Sequence, residues 1–473
     1  MRRTKIVATI GPATWESEQV KLLIAAGVDV FRVNFAHSSP VDHERMIKMV
    51  RAQADAMDTT VGVLADLPGP KMRTGDLAQE EVRLLPGHPF VLTADGAPGD
   101  WTRVSTTVSD LTGMVKKDDE IFLADGEIVL RVVDLRAGDV ITEVIRGGRL
   151  RSRKGMHLPR AERHVEAFTA EDEIALKRAV TLGVDLVGLS FVRDAEDIAR
   201  ARAAVPAMGH RMYFVAKIET RSAIDNLNEI VSAADAVMVA RGDLGIQMSY
   251  SEVPRLQKRI IAACNAAGKP VITATEMLDT MTHSPLPTRA EATDVANAVM
   301  DGTDALMLSE ETAVGEFPVE TVRAMSEIAG AAEQDTGKGT EPADEHMQDD
   351  RVSWAVAGAA VQAAEQLKVG AILCPTRSGA TALRVAAFRP SRSIVALSED
   401  ARTLGPLNLV WGVTPLQFDA PPKDLTAEAD VDRAVRAAYS AGLLSQGQHV
   451  AVVAGTPGNR AGRTDYVRIV KVG

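Results

Sequence analysis

Short apolar runs recur eight times along the chain, and a segment with the spacing of an amphipathic helix separates nearly every run from the next. Each run ends in polar or charged residues, a pattern typical of strands buried on both faces of a parallel sheet. Eight such alternations predict an α/β fold built around a closed (β/α)8 barrel. The predicted strands span residues 5–10, 28–34, 61–66, 186–192, 212–219, 236–241, 270–275 and 305–309.

Two further regions interrupt or follow the predicted barrel, whose helical segments lie at 18–26, 41–56, 170–182, 224–233, 253–267 and 290–300. After Asp66, short alternating runs at 81–85, 90–93, 120–123, 128–133 and 140–145 predict a small all-β domain inserted in a barrel loop. Its position at the carboxyl ends of the strands is that of a lid. The predicted barrel therefore covers residues 1–71 and 157–332, and the predicted lid covers 72–156.

A polar segment at 334–350 predicts a linker to a third region. A helical pattern at 352–367 and apolar runs at 371–376, 394–397 and 449–453 predict a separate carboxyl-terminal α/β domain over 350–473.

Composition excludes several classes of function. The formal net charge is −11 and no lysine-rich or arginine-rich tract is present, which argues against binding to a nucleic-acid backbone. The two cysteines, Cys264 and Cys374, fall in different predicted domains, so we expect no disulfide framework and a reducing compartment. No apolar stretch reaches the length of a membrane span, and the run at the start is too short for a signal peptide. We therefore expect a cytoplasmic protein with no membrane partner.

The most informative residues lie at the ends of two neighbouring predicted strands. Lys217 and Glu219 end one run, and Arg241 and Asp243 end the next, with a helical stretch between them. Strands joined in this way are parallel neighbours, so Glu219 and Asp243 can share a divalent cation beside Lys217. Such a group suits chemistry that builds negative charge on oxygen. A single segment of this kind would be explained as a salt-bridged rim, but several occur in succession.

Polar residues at the other strand ends are expected to converge on the same face of the barrel, where such barrels have their active sites. These residues are Arg32, Asn34, Asp66, Ser190, Thr275, Glu276, Ser309, Glu310 and Glu311.

The chain resembles the pyruvate kinase family from end to end. The matching motifs are Thr4-Lys-Ile-Val-Ala-Thr-Ile-Gly-Pro12, Arg32-Val-Asn-Phe35, Gly69-Pro70, Arg73-Thr-Gly75, Lys154-Gly155, Ala216-Lys-Ile-Glu219, Ala240-Arg-Gly-Asp-Leu-Gly245, Thr288-Arg-Ala-Glu-Ala292, Met307-Leu-Ser309 and Glu311-Thr312. The resemblance implies transfer of a phosphoryl group from phosphoenolpyruvate to ADP, which gives pyruvate and ATP. It also implies a homotetramer that depends on Mg²⁺ or Mn²⁺.

The resemblance also implies roles for individual residues. Glu219 and Asp243 would hold the metal, and Lys217 would neutralise the transferring phosphoryl group and the developing enolate. Gly242 and Thr275, together with Lys217 and Asp243, would bind the substrate.

Other residues would contact phosphate or deliver a proton. Arg32 and Arg73 would pair with phosphate oxygens as planar forks, and Lys154 would reach the nucleotide phosphates. Thr275 and Ser309 are candidates for delivering the final proton through ordered water. Three further nucleotide-binding candidates are Asn34, His37 and Asp125.

The departures from the family pattern cluster around one cation site. Most family members bind K⁺ through an Asn, a Ser, an Asp and a Thr carbonyl, with a Glu nearby. Here Asn34 and Asp66 are present, but Ala36 replaces the Ser, Leu67 the Thr and Lys71 the Glu. An ammonium group can replace a monovalent cation, so we interpret Lys71 as a substitute for K⁺. The alternative is drift in a chain that has lost activity.

The carboxyl-terminal domain resembles the allosteric domain of the family. Its loop contains Thr376, Ser378, Gly379 and Thr381 and precedes a helix, so it could cradle the phosphate of an effector. A packing domain that builds a tetramer is the alternative.

Two other functions remain open at this point. One is a metal-dependent lyase or aldolase that acts on a pyruvate enolate, and the other is a degenerate kinase homologue that senses a metabolite. Intact Lys217, Glu219, Asp243, Thr275 and Arg73 argue against the degenerate homologue.

Overall fold

The computed structural model describes residues 2–70, 72–124, 126–136, 138–159, 166–205, 211–335, 350–419, 426–456 and 462–473. Its first three strands are β1 Lys5–Thr9, β2 Val30–Asn34 and β3 Gly62–Asp66, separated by helices α1 Ser17–Ala26 and α2 Pro40–Ala56. Every residue of β1 and β3 is buried. Burial on both faces explains why these strands are continuous apolar runs.

The region after β3 forms a small β domain with its own core. Its strands are β4 Glu81–Leu84, β5 Pro89–Thr93, β6 Arg103–Ser105, β7 Glu120–Leu123, β8 Ile128–Arg136, β9 Asp139–Arg146, β10 Gly148–Arg151 and β11 Met156–His157, with one short helix, α3 Leu111–Met114. Six strands form a sheet in the order β11-β7-β8-β9-β5-β6, and β10 pairs with β4. The core includes Phe90, Leu92 and Ile121. The domain is connected to the barrel at both ends, as expected for a lid.

The chain then returns to the barrel. The remaining barrel strands are β12 Leu186–Leu189, β13 Tyr213–Ile218, β14 Ala236–Ala240, β15 Val271–Ala274 and β16 Ala305–Leu308. Their helices are α4 Ala170–Thr181, α5 Ala195–Ala203, α6 Arg221–Asp225, α7 Leu227–Ala233, α8 Arg241–Gln247, α9 Val253–Ala266, α10 Arg289–Met300, α11 Glu310–Ala313 and α12 Pro318–Asp335. The eight parallel strands close in the order β1-β16-β15-β14-β13-β12-β3-β2, so the predicted barrel is confirmed.

The barrel interior is filled at its amino end. Each strand contributes at least one apolar side chain to a buried cluster, whose members include Val7, Val30, Leu64, Leu186, Val215, Met238, Ile272 and Met307. Leu409, from the carboxyl-terminal region, packs against the same cluster. Because this end is filled and covered, the carboxyl ends of the strands are where a site can open.

The carboxyl-terminal region is a separate α/β layer. Its helices are α13 Arg351–Gln366, α14 Ala380–Ala387, α15 Ala401–Leu407 and α16 Ala427–Ser440, and its strands are β17 Ala371–Pro375, β18 Ser393–Ser398, β19 Val413–Gln417, β20 His449–Ala454 and β21 Tyr466–Lys471. The sheet order is β19-β18-β17-β20-β21, and only β21 is antiparallel among these five described strands. Arg389 attaches this region to the barrel through Asp304 at 3.1 Å.

The sheets agree with the predicted fold class, whereas the domain limits remain predictions. Most of the predicted linker falls on 336–349, outside the described residues. Among the helices of the described ranges, none is long and apolar enough to cross a membrane.

Candidate active site

A cavity of about 400 Å³ opens at the carboxyl ends of the barrel strands. Barrel residues line it together with residues of the small β domain, among them Lys154 and His157. Ten of the residues predicted for this face of the barrel or for the site line it: Arg32, Asn34, His37, Asp66, Arg73, Lys154, Ser190, Lys217, Glu219 and Asp243. Residues that lie up to about 200 positions apart in sequence therefore meet in one place, as the barrel topology requires.

Lys217, at the end of β13, lies at the centre of the charged groups. Its ammonium donates a hydrogen bond to Ser190 Oγ at 2.8 Å and lies 2.9 Å from Glu219 Oε1 and 3.3 Å from Asp66 Oδ1. The side chain is 12% exposed. Burial alone would lower the pKa of Lys217, but Asp66, Glu219 and Asp243 raise it above its ordinary value. Lys217 is therefore a fixed positive charge on the wall of the cavity.

Glu219 is a fully buried carboxylate with one oxygen only partly satisfied. The Phe191 backbone N–H donates to its Oε2 at 2.6 Å. Its Oε1 lies near Lys217, yet the angles of that contact are not those of a hydrogen bond, so we treat it as an ion pair alone. Burial raises the pKa of Glu219 to about 7, and the nearby Asp243 also raises it, while Lys217 opposes the shift. A carboxylate in this state fits a cation that the chain itself does not supply.

Asp66 is held between two cations. Arg32 Nε donates to Asp66 Oδ2 at 2.7 Å, and Arg32 Nη1 donates to Thr9 Oγ1 at 3.1 Å. Burial opposes ionisation of Asp66, but Lys217 and Arg32 outweigh it and hold the pKa of Asp66 below its ordinary value. Arg32 is thereby oriented at the edge of the cavity.

Gly242 and Thr275 contact each other through a hydrogen bond. The Gly242 N–H donates to Thr275 Oγ1 at 2.8 Å, and that hydroxyl donates to Ala274 O at 2.7 Å. Arg241 supports the same turn by donating to Thr275 O at 2.6 Å. Thr275 has a φ of 70°, in the left-handed region that non-glycine residues rarely adopt. Neither Gly242 nor Thr275 is among the described residues that line the cavity.

Ser309 also lies outside the described cavity lining. Its backbone N–H donates to Glu311 Oε2 at 2.6 Å, and Leu278 N–H donates to Glu311 Oε1 at 3.2 Å. Both oxygens of Glu311 are thus used by backbone groups, and burial raises the pKa of its carboxyl. Glu311 stabilises the strand end, while the catalytic role of Ser309 stays a prediction.

The predicted nucleotide residues lie on the lid side and at the end of β2. Arg73 Nη1 donates to Arg153 O at 3.0 Å, next to the backbone bridge between Arg73 and Gly155. The Lys154 N–H donates to Thr74 Oγ1 at 3.0 Å. His37 is exposed at the cavity edge. The predicted residues Asp125 and Lys71 lie outside the described residues.

Sequence reasoning assigned no role to two residues that contact the charged centre. Ser190 bonds to Lys217, and the Phe191 backbone bonds to Glu219. Phe191 has a φ of 55°, which points its N–H at the carboxylate. The polar strand end was the only signal for Ser190, and nothing in the sequence predicts a left-handed phenylalanine.

Known proteins of one family are similar to the chain over nearly its whole length. The family model described as pyruvate kinase, barrel domain, matches residues 1–322, and the one described as pyruvate kinase, alpha/beta domain, matches 354–470. The chain is 41% identical to pyruvate kinase 2 of Synechocystis sp., over 99% of this chain and 79% of that protein. It is 38% identical to the pyruvate kinase of Thermotoga maritima over the full length of both, and 38% identical to that of Thermococcus litoralis over 99% and 98%.

Proposed function

Because the chain belongs to the pyruvate kinase family, we infer that the cavity at the carboxyl ends of the barrel strands is where its phosphotransfer takes place. The enzyme is a phosphotransferase whose substrates are phosphoenolpyruvate and ADP. One observation carries the assignment of the site. Lys217, Glu219 and Asp243, from neighbouring strand ends, line the cavity together with Arg73 and Lys154 of the small β domain.

The family is generally Mg²⁺-dependent, and the residues at this site fit such an ion. Glu219 offers a buried carboxylate oxygen without a well-aligned hydrogen bond. Asp243 adds a second negative charge and raises the pKa of Glu219, so a bound cation would stabilise both carboxylates in their ionised form. Hard divalent cations prefer such oxygen ligands. We propose that Glu219 and Asp243 hold Mg²⁺ or Mn²⁺. When bound, the cation would neutralise negative charge on substrate oxygens.

Protein ligands alone do not complete a metal site here. Within the described ranges, no group of three or more His, Cys, Asp or Glu side chains could hold a metal ion. The proposal therefore requires that substrate oxygens or water supply the remaining ligands.

The protein residues contribute positioning and fixed charge, which is what phosphoryl transfer needs. Lys217 would stabilise the transferring group and the enolate oxygen, because its ammonium stays charged between three oxygens. Arg32, oriented by Asp66, would pair with phosphate oxygens. Arg73 and Lys154 would bind the nucleotide phosphates, and Asn34 and His37, which line the same cavity, would also contact the nucleotide.

Substrate binding by Gly242 and Thr275, and proton delivery by Thr275 or Ser309, are part of the same proposal. The Thr275 hydroxyl is engaged by Gly242 and Ala274, so it supports the turn that presents Asp243. Delivery of a proton from Thr275 or Ser309 would require an intervening water, since neither is among the described lining residues.

We propose that activity does not require K⁺. The described oxygens of the expected K⁺ site lie next to polar or charged groups of the chain, although Asp66 Oδ1 has no well-aligned hydrogen bond. Asn34 Oδ1 accepts from Ala36 N–H at 3.0 Å, and Asp66 is paired with Arg32 and Lys217. The Leu67 carbonyl accepts the Ser190 hydroxyl at 2.8 Å. Together with Lys71 in the sequence, this supports a site that has exchanged a free cation for fixed donors.

Binding of an allosteric effector is a further part of the proposal. The Thr376 hydroxyl accepts from Gly379 N–H at 2.9 Å, and the buried Thr381 hydroxyl lies 2.8 Å from that of Thr464. Both are therefore engaged within the carboxyl-terminal domain. Ser378, however, lines a cleft of about 900 Å³ between this domain and the barrel.

The charge of that cleft favours a phosphorylated ligand. Six basic residues and three acidic residues line it, in a chain whose net charge is −11. The basic residues are Arg211, Lys269, Arg377, Arg384, Arg402 and Arg463. We propose that an effector phosphate binds there or in the 376–381 loop. Rates at low phosphoenolpyruvate, with and without a panel of sugar phosphates and nucleoside monophosphates, test this.

We also propose a cytoplasmic homotetramer. Unpaired, buried Cys264 and Cys374 fit a reducing compartment. Light scattering coupled to size-exclusion chromatography tests the oligomeric state.

A coupled assay tests the main function. Purified enzyme with phosphoenolpyruvate, ADP and Mg²⁺ is expected to form pyruvate and ATP in equal amounts. A lyase or aldolase would form pyruvate from another substrate without ATP. A degenerate homologue would bind phosphoenolpyruvate without turnover.

A further inference from the structure

Ser190 connects the loop after β3 with the lysine at the end of β13. It directly follows β12, and the residue is buried, with 5% of its surface exposed. The hydroxyl donates to Leu67 O at 2.8 Å and accepts from Lys217 Nζ at 2.8 Å. Ser190 is therefore in contact with both neighbours across the barrel wall.

The direction of these hydrogen bonds follows from the groups themselves. An ammonium group can only donate, so the Ser190 oxygen must accept from Lys217. A carbonyl can only accept, so the single hydroxyl proton must point to Leu67. The serine thus offers Lys217 a lone pair whose direction is fixed by the backbone of the loop after β3.

That loop is itself anchored. The Leu67 N–H donates to Gly188 O at 3.0 Å, and the Gly69 N–H donates to Asp172 Oδ1 at 2.9 Å. A side chain at Gly69, which has a φ of 65°, would have its Cβ 2.7 Å from Ser190 Cβ. The backbone of the loop therefore packs directly on the serine, and little room is left for its hydroxyl to turn away.

A lysine side chain has four rotatable bonds, and two carboxylates on different strands attract the ammonium of Lys217. A neutral acceptor on a third strand end fixes its position without adding charge. We propose that Ser190 is a positioning residue, which holds Lys217 Nζ at the cavity wall for phosphoryl transfer. This proposal rests on the function of Lys217 proposed above.

The first test is Ser190→Ala. We expect kcat to fall about 10–100-fold, as for a small displacement of a reacting group, while the KM for phosphoenolpyruvate changes less than about threefold. The affinity for phosphoenolpyruvate, measured by calorimetry without ADP, is also expected to change less than about threefold. Ser190→Cys, whose thiol is a weaker acceptor, should show a smaller loss in the same direction.

Thr321→Val is the matched control. Its buried hydroxyl also donates to a backbone carbonyl, Phe317 O at 2.7 Å, but in α12 of the barrel. Loss of a buried hydroxyl by itself should leave kcat within about twofold of wild type there. A kcat for folded Ser190→Ala within about twofold of wild type would overturn the proposal.

A double-mutant cycle separates positioning from an independent effect. If Ser190 acts through Lys217, then adding Ser190→Ala to Lys217→Ala should change kcat by less than about twofold. Losses that multiply in the double variant would mean that Ser190 acts by another route. If Lys217→Ala alone keeps full activity, the proposed function of Lys217 fails instead, and the two failures are distinguishable.

Discussion

The ends of β13 and β16 both carry a buried glutamate, but the two glutamates differ in their hydrogen bonds and in their access to the cavity. At β13, Lys217 and Glu219 face a cavity, and Glu219 Oε1 lacks a well-aligned hydrogen bond. At β16, Ser309 and Glu311 lie outside the described cavity lining, and both oxygens of Glu311 accept backbone N–H groups. Both carboxylates are buried with raised pKa values. Unused hydrogen-bonding capacity, rather than burial or residue type, distinguishes Glu219 at the end of β13 from Glu311 at the end of β16.

The largest expected effect is at Lys217. Lys217→Ala should lower kcat by about 10²–10⁴-fold, because a preorganised charge is lost, and KM should change less. Steady-state kinetics with circular dichroism as a check on folding is the measurement. Lys258→Ala, an exposed lysine paired with Asp301, is the control and should retain full activity. If the kcat of Lys217→Ala stays within a few-fold of wild type, Lys217 does not have the catalytic role that we propose for it.

The second effect concerns metal binding. Glu219→Gln and Asp243→Asn should each weaken Mn²⁺ or Mg²⁺ binding by at least about 10–100-fold while the fold is retained. Calorimetry without substrates, and metal titration of activity, both report it. Glu44→Gln, an exposed residue of α2 that pairs with Lys48, is the control and should leave the metal affinity unchanged. Unchanged affinity in both site variants would mean that the cation binds elsewhere.

The third effect concerns the expected K⁺ site after β3, where we propose that the ammonium group of Lys71 replaces the ion. Wild-type activity should be substantial in tetramethylammonium buffer and respond little to K⁺ at matched ionic strength. Lys71→Glu should lower the activity by about tenfold or more, because the site regains negative charge while Ala36 supplies no ligand for K⁺.

Adding Ala36→Ser and Leu67→Thr to Lys71→Glu should restore part of the activity, and only with K⁺ present. Leu67→Thr alone serves as the control for packing. A wild-type enzyme that is nearly silent until K⁺ is added would contradict the interpretation of Lys71.

The smallest effect on rate is expected at Glu311. Glu311→Gln replaces one acceptor oxygen by a donor that faces a backbone N–H, so we expect a loss of about 1–3 kcal/mol in stability. The apparent unfolding temperature should fall while kcat stays within about threefold of wild type. Glu316→Gln, exposed and paired with His283, is the control. A large loss of kcat without loss of stability would place Glu311 in catalysis.

The barrel could be predicted from the sequence because buried parallel strands are continuous apolar runs. Where the prediction differed, local structure was decided by tertiary contacts. The helix predicted at 224–233 is two helices separated at Asn226, whose side chain donates to Arg193 O at 3.0 Å. Strand β19 contains Pro415 at the edge of its sheet, where a missing N–H is tolerated. Strand β21 shows no regular alternation of burial, so periodicity could not reveal it.

In the site, the residue types could be predicted from the sequence, but not all of the hydrogen bonds that these residues make. The positions of Lys217, Glu219 and Asp243 follow from strand ends in a barrel. The bond between Ser190 and Leu67 joins residues 123 positions apart, and it depends on the packing of two loops. The engagement of the Thr275 hydroxyl likewise depends on how a turn is built after β15. Sequence periodicity carries no information on either contact.

Closure of the barrel has a consequence for synthesis. Lys5 of β1 is the register partner of Ala305 in β16. One edge of the first strand therefore stays unpaired until a strand about 300 residues later has been synthesised. At ribosomal rates of about 5–20 residues per second, that interval is about 15–60 s. An open strand edge is a template for pairing with other chains. The yield of this enzyme in a cell therefore depends on what protects its amino-terminal half during that time.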